Sequence, residues 1–178
     1  VLASAPVDIT AAGQWNDLNL AMQPTATSAK GKLALEFDAP GTVYVDYVSL
    51  FPEKTFRDRP NGLRKDVAEI LEGLHAAFVR WPGGCVVEGI SLENRFEWKK
   101  SLGDPAARSG EYSTWGYRCS YVFAYHEMLQ FCEDIDAKAM FVCNVGLGCQ
   151  YRMGDASPES KIDYYLDDCM DAIEYAIG

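Results

Sequence analysis

Apolar positions along the chain change their period near residue 52. Before it they alternate with polar neighbours: Leu18, Leu20 and Met22 form one set, and Leu33, Leu35 and Phe37 another. A side chain that recurs every second residue lies on one face of a strand, so both runs predict half-buried β structure. Pro40-Gly41 marks a turn into residues 42–48, a β-branched and aromatic run that predicts a third strand. Three strands cannot close a sandwich alone. A boundary is expected at Phe51-Pro52, dividing the chain into residues 1–52 and 53–178.

From Leu63 the period is helical. Leu63, Val67, Ile70, Leu71 and Leu74 predict a helix over 63–74, with Asn61 as N-cap and Gly73 near its end. Ala77, Phe78 and Val79 begin a buried strand that Pro82 must stop, since proline cannot extend a sheet ladder. About forty residues follow without a convincing period, a length that is usually functional within a compact domain. Val122, Tyr125, Leu129, Cys132 and Ile135 predict the next helix, and residues 139–143 the next buried strand, ending at Asn144. Ser157-Pro158-Glu159 has the form of a helix start, and Ile162, Tyr165, Leu166, Cys169 and Ile173 its buried face. Strands that alternate with helices place residues 53–178 in the α/β class.

Composition narrows the functions available. A net charge of -10 excludes a nucleic-acid partner, whose phosphates need a basic footprint. It suits a neutral ligand. No apolar run approaches the ~20 residues that cross a bilayer, so no membrane partner is expected. Val1-Leu2-Ala3-Ser4-Ala5 has no basic segment before it and does not read as a signal peptide. The six cysteines contain no C-x-x-C pair, and only His75 and His126 could add imidazole, so neither a metal site nor a cofactor is expected. Cys132, Cys143 and Cys169 fall at apolar positions and read as small buried hydrophobes. Gly146-Leu147-Gly148 lacks the third glycine and the helix of a dinucleotide loop.

Candidate chemistry concentrates at Arg80-Trp81-Pro82-Gly83-Gly84-Cys85-Val86-Val87-Glu88-Gly89. Arg80 places a charged, planar donor fork at the carboxyl end of a strand, where βα units bind ligands. Gly83 and Gly84 allow a tight turn and close approach of a ligand to the backbone. Asn144 stands at the same end of the next strand. An ordinary strand-to-loop turn with a surface arginine is the plain alternative. Arg57, Arg59 and Arg64 read as a solvated face paired with Asp58 and Asp66, and His126 as a packed helix residue. Trp15 and Tyr44 could stack on a sugar, although core or edge packing explains them as well.

The same stretch carries a resemblance. Asp46-Tyr47-Val48-Ser49-Leu50-Phe51-Pro52, Thr55 to Arg64 with Arg-Pro-Asn-Gly-Leu-Arg, Arg80 to Gly89, Asn94-Arg95 with Trp98-Lys99, Trp115-Gly116-Tyr117-Arg118, Leu129 to Asp134 and Phe141-Val142-Cys143-Asn144 resemble the family 51 glycoside hydrolases, chiefly α-L-arabinofuranosidases. The order and spacing agree over roughly residues 43 to 150. The resemblance implies part of a (β/α)8 TIM barrel, preceded in residues 1–52 by the end of an inserted β-sandwich like a carbohydrate-binding module. It implies a retaining, exo-acting enzyme that removes terminal arabinofuranosyl groups from arabinan or arabinoxylan with two glutamates. The acid/base of that family sits in an Asn-Glu pair. None occurs here, so the chain is expected to be an internal piece without catalytic residues of its own.

Arg80, Gly83, Gly84, Cys85, Trp115 and Asn144 are then the expected substrate contacts, with Arg80 orienting the nucleophile. Glu88, Glu93, Glu97 and Glu111 are expected to be non-catalytic. Cys119-Ser120-Tyr121-Val122 departs from the family's usual Ser-Thr-Asp-Gly, so no substrate contact is carried over to those positions. The implied partners are an arabinose-containing polysaccharide or oligosaccharide, and either copies of this chain or the rest of a parent chain that covers its bare strand edges. A secreted or periplasmic parent is favoured. A non-catalytic carbohydrate-binding piece and an endo-glucanase of the same family are the alternatives.

Overall fold

The computed structural model describes residues 1–178 and divides them into two units, Val1–Glu53 and Lys54–Gly178. The first contains no strand and no helix, only short turns. Its hydrogen bonds are local or sparse: Asn16 Nδ2 donates to the Ala11 and Gln14 carbonyls, and the Thr25 N–H donates to the Leu2 carbonyl at 2.9 Å. The strands expected around Leu18, Leu33 and residues 42–48 therefore do not form. Alternation marks which face a strand would bury, but a strand exists only when a neighbour takes its N–H and C=O groups. Leu35 and Phe37 stand in solvent instead, the latter 57% exposed.

In the second unit the helices are α1 (Lys65–Glu72), α2 (Cys85–Glu88), α3 (Tyr125–Asp134) and α4 (Ile162–Ile177). The strands are β1 (Phe78–Trp81), β2 (Glu111–Tyr112), β3 (Arg118–Cys119) and β4 (Lys138–Phe141). β1 and β4 pair in parallel, Phe78 opposite Lys138 and Trp81 opposite Phe141, with α3 in the connection between them. β2 and β3 make a small antiparallel hairpin. The unit is thus mixed α/β, with two strand–helix repeats.

The core lies where α3 and α4 meet the segment between β1 and α3. Phe96, Trp98, Tyr121, Ala124, Tyr125 and Ala172 form one buried cluster, against which Trp81 and Phe141 pack. Tyr125 stands at its centre: its ring is 5.0 Å from Trp98 and 4.4 Å from Phe141, and its hydroxyl donates to the Ala172 carbonyl at 2.6 Å. The forty residues after β1 are therefore no bare loop. They hold α2, three 3-10 turns and the hairpin, and they supply three of the six core residues.

A second cluster joins Phe56, Ala68 and Phe131. Beside it Arg59 grips Asp134 through two bonds, at 3.1 and 2.8 Å, and Arg64 pairs with Asp66. Arg57 pairs with Glu72, not with Asp58. Arg57 and Arg64 are solvated as expected, Arg64 with its expected partner, whereas Arg59 is half-buried.

Helix ends depart from expectation. α1 starts at Lys65 without a side-chain cap, because Asn61 is held in a turn at φ 52. α3 starts three residues late, at Tyr125, where the Glu127 carboxylate accepts the Ala124 N–H and is held by Arg108 at 2.9 Å. Pro158 is extended and a 3-10 turn precedes α4. The apolar stripes are also barer than expected. Only Ala68 is buried on α1, and Ile70 is 70% exposed. On α4, Tyr165 and Ala172 are buried, whereas Ile162, Leu166 and Ile173 face solvent. Periodicity identifies an apolar face, and a face is buried only where another element meets it.

Candidate functional site

Because β1 and β4 are parallel and in register, both chains leave the sheet at one edge, after Trp81 and Phe141. The Val142 N–H donates to the Trp81 carbonyl at 2.9 Å and carries the pairing one step further. Along β1 the side chains alternate: Val79 and Trp81 turn inward, Phe78 and Arg80 outward. Arg80 takes part in none of the chain's ion pairs. Its guanidinium folds back over Gly83, where a Cβ would stand 2.6 Å from Nη1. Gly83 also has φ 124, so glycine is required there both for space and for backbone conformation. Gly84, at φ 53 and ψ −138, lies outside the small left-handed region open to other residues, and Cys85 then begins α2.

Asn144 is fully occupied within the chain. Its Nδ2 donates to the Val87 and Leu147 carbonyls at 3.0 and 2.9 Å, and its Oδ1 accepts the Gly146 and Leu147 N–H groups. All four hydrogen-bonding positions of the amide are used. Asn144 thus clips the loop after β4 to α2.

Further bonds knit the surrounding loops together. The Met153 N–H donates to the Ile90 carbonyl, and the Leu92 N–H to Asp155 Oδ2 at 2.9 Å. Arg152 Nη2 donates to the Thr114 carbonyl at 2.8 Å, which ties the hairpin tip to the loop after β4. Trp115 rides on that tip, 58% exposed, its N–H held by Ser113 Oγ. Arg80, Gly83, Gly84, Cys85 and Asn144 therefore share one edge of the sheet, and Trp115 belongs to a hairpin bonded to the same loop.

Two grooves of this unit lie elsewhere. One groove is lined by Val79, Trp81, Tyr125 and Met128 among others, a second by Phe56, Arg59, Gly62 and Phe131 among others, and neither includes any of the six. On this edge Gly84 is exposed, and Gly83 and Cys85 are half-buried.

Two acids of the connecting segment, Glu97 and Glu111, are occupied elsewhere. Glu111 is buried, and burial lifts its carboxyl above the usual range against the opposing hydrogen bond from the Tyr121 hydroxyl at 2.7 Å. Glu97 pairs with Arg95 at 2.9 Å and with Lys100. His126 packs on Tyr175, with its Nδ1 3.0 Å from the hydroxyl.

Sequence reasoning missed one grouping. Cys85 Sγ, Glu88 and Cys149 Sγ lie with their donor atoms all within 4.8 Å of one another, and the two sulfurs are 3.2 Å apart. The only trace of it in the sequence is that Cys85 and Glu88 are three apart. Cys149 comes from 64 residues away. The Cys85 thiol is raised, first by its hydrogen bond with Cys149 and then by burial. A second thiol pair, Cys143 with Cys169, joins the end of β4 to α4, and burial together with Cys169 pushes Cys143 up to about 12.

Residues 70–178 match the family model described as the alpha-L-arabinofuranosidase 1 domain. An extracellular exo-alpha-L-arabinofuranosidase from Streptomyces chartreusis is 35% identical, over 93% of this chain and 21% of that protein. Alpha-L-arabinofuranosidase A of Aspergillus niger is 32% identical, over 87% of this chain and 26% of that protein. An arabinose-bound GH51 α-L-arabinofuranosidase superposes with a TM-score of 0.63 and 32% identity, covering 68% of this chain and 19% of that one. The chain spans about a fifth to a quarter of the length of these relatives.

Proposed function

This chain belongs to the α-L-arabinofuranosidase family, and we propose that it is one segment of a retaining, exo-acting enzyme that releases terminal α-L-arabinofuranosyl groups from arabinan or arabinoxylan. The carrying observation is the turn after β1: an unpaired, exposed guanidinium held over Gly83 at the ligand-binding end of a parallel strand. A free planar fork there suits a carboxylate, which Arg80 would hold in the orientation needed for attack. Gly83 and Gly84 let the sugar lie against the backbone, Cys85 borders it, and Asn144 keeps the two loops in place. Trp115, exposed on its hairpin, offers an aromatic face for the C–H side of a sugar.

In a double displacement, a carboxylate attacks the anomeric carbon to give a covalent glycosyl–enzyme, which water then hydrolyses with the second carboxyl as acid and then base. Both glutamates are assigned to residues outside this chain. The opposite side of the cleft is assigned to further barrel strands, which would also cover the bare faces of α1 and α4. Residues 1–52 are read as the last strands of an inserted sandwich, which need upstream strands to pair with. The extracellular S. chartreusis relative supports a secreted parent.

The 178-residue chain should show no turnover of an aryl α-L-arabinofuranoside. The enzyme that contains it should release arabinose first as the α-anomer, seen by proton NMR. Arg80→Ala in that enzyme should lower kcat/KM by about 100-fold, mostly in kcat, the size expected when a reacting group is misplaced by about an ångström. Turnover by the chain alone would show that the catalytic acids are among these residues.

A further inference from the structure

We infer that Cys85, Glu88 and Cys149 form a binding site for one zinc-class divalent cation, held by two thiolates and one carboxylate with a fourth position open to solvent. Cys85 and Glu88 are three apart on the single helical turn of α2, a spacing that puts both side chains on one face. Cys149 approaches that face from the loop after β4. Its own carbonyl is fixed by the Arg152 and Gly154 N–H groups, at 2.8 and 3.1 Å. The Asn144 amide locks this loop to α2 through the Val87 carbonyl, so the three donors are placed by a network that does not depend on an ion.

The dimensions agree. Zinc bonds of about 2.3 Å to sulfur and about 2.1 Å to oxygen put tetrahedral ligand atoms roughly 3.6–3.8 Å apart. The three donors already lie within 4.8 Å, and the sulfur pair at 3.2 Å needs to open by about half an ångström. Cys149 is fully buried, while Cys85 and Glu88 are half-buried and Gly84 beside them is exposed. The site thus has a closed floor and a route from solvent. Thiolate ligands select zinc-like ions over magnesium or calcium. On binding, the two thiols release their protons to solvent, and the cation with two thiolates and one carboxylate keeps a single negative charge. The Cys143–Cys169 pair has no third donor of this kind and serves as an internal control.

Cobalt(II) titrated into the phosphine-reduced 178-residue chain should saturate at one equivalent. It should give a thiolate charge-transfer band in the near ultraviolet with tetrahedral visible bands, and zinc(II) should bleach both. Cys85→Ser and Cys149→Ser should each weaken binding by more than about 100-fold, beyond the loss seen when only an outer partner is removed. Glu88→Gln should weaken it by at least about tenfold. Cys169→Ser should leave the spectrum unchanged, and circular dichroism of each variant should match the parent. No band from the reduced chain, a band that survives Cys85→Ser, or a band lost in Cys169→Ser would overturn the site. Because the readout is the metal and not the sugar, this result stands apart from the arabinofuranosidase reading.

Discussion

Residues 1–53 leave Trp15, Leu35, Phe37 and Tyr44 in solvent, while residues 54–178 enclose Phe96, Trp98, Tyr121, Tyr125 and Ala172 in one cluster. Both regions are rich in aromatic and aliphatic side chains, so apolar content does not separate them. The difference is in the backbone. In the second region β1 and β4 exchange hydrogen bonds over 60 residues of separation (Phe78 with Lys138), and helices close over the result. In the first, no two segments form a ladder, and most of the large apolar side chains stand in solvent. Burial follows from satisfied backbone, not the reverse.

The largest effect expected from this contrast is in amide hydrogen exchange. Amides of 1–53 should exchange at close to unprotected rates, whereas those of α3, α4 and the β1–β4 ladder should be the slowest in the chain. Strong protection at Leu18, Leu33 or Val45 would mean that the strands do pair, and the comparison would collapse. Mutation should give the next largest difference. Tyr125→Ala removes a ring packed on Trp98 and Phe141 and should cost about 3–5 kcal/mol in denaturant unfolding. Phe37→Ala, the matching change in the first region, should stay within about 0.5 kcal/mol.

The smallest effect concerns Glu111, a buried acid of the second region. Its folded-state value is raised, so the folded chain holds this proton more tightly than the unfolded chain. The stability it adds is full below the usual glutamate value of about 4.3 and is lost as pH rises through the raised folded value. Glu111→Gln keeps an acceptor for the Tyr121 hydroxyl and removes the titration. The difference in unfolding free energy, wild type minus variant, should therefore fall with rising pH above about 4. A flat difference would show that burial does not perturb this carboxyl.

Much of the second region was legible from local pattern. The helical spacing that ends at Ile135, the β1 strand stopped by Pro82, and the β4 run ending near Asn144 each rest on interactions within a few residues, so the sequence carries them. Gly83 was readable for a similar reason, since a turn against a strand end needs a residue without a Cβ. Other features were not. The core role of Phe96, Trp98 and Tyr121 was hidden because their segment has no period, and their burial comes from α3 and α4. The grouping of Cys85 with Cys149 was hidden because it depends on the register of two parallel strands.

By itself the sequence determined the family, the order of α1, β1, α3, β4 and α4, and the place along the chain where a glycine turn leaves β1. Those depend on residue identity and on spacings of two to four. Tertiary structure decided which apolar faces are covered, that Asn144 spends its amide on the backbone, that Arg80 rests on Gly83, and that three sulfur and oxygen donors converge beside α2. Each of these depends on segments far apart in sequence arriving at one point. No local period encodes such a meeting, because its energy comes from partners that only the folded chain brings within reach.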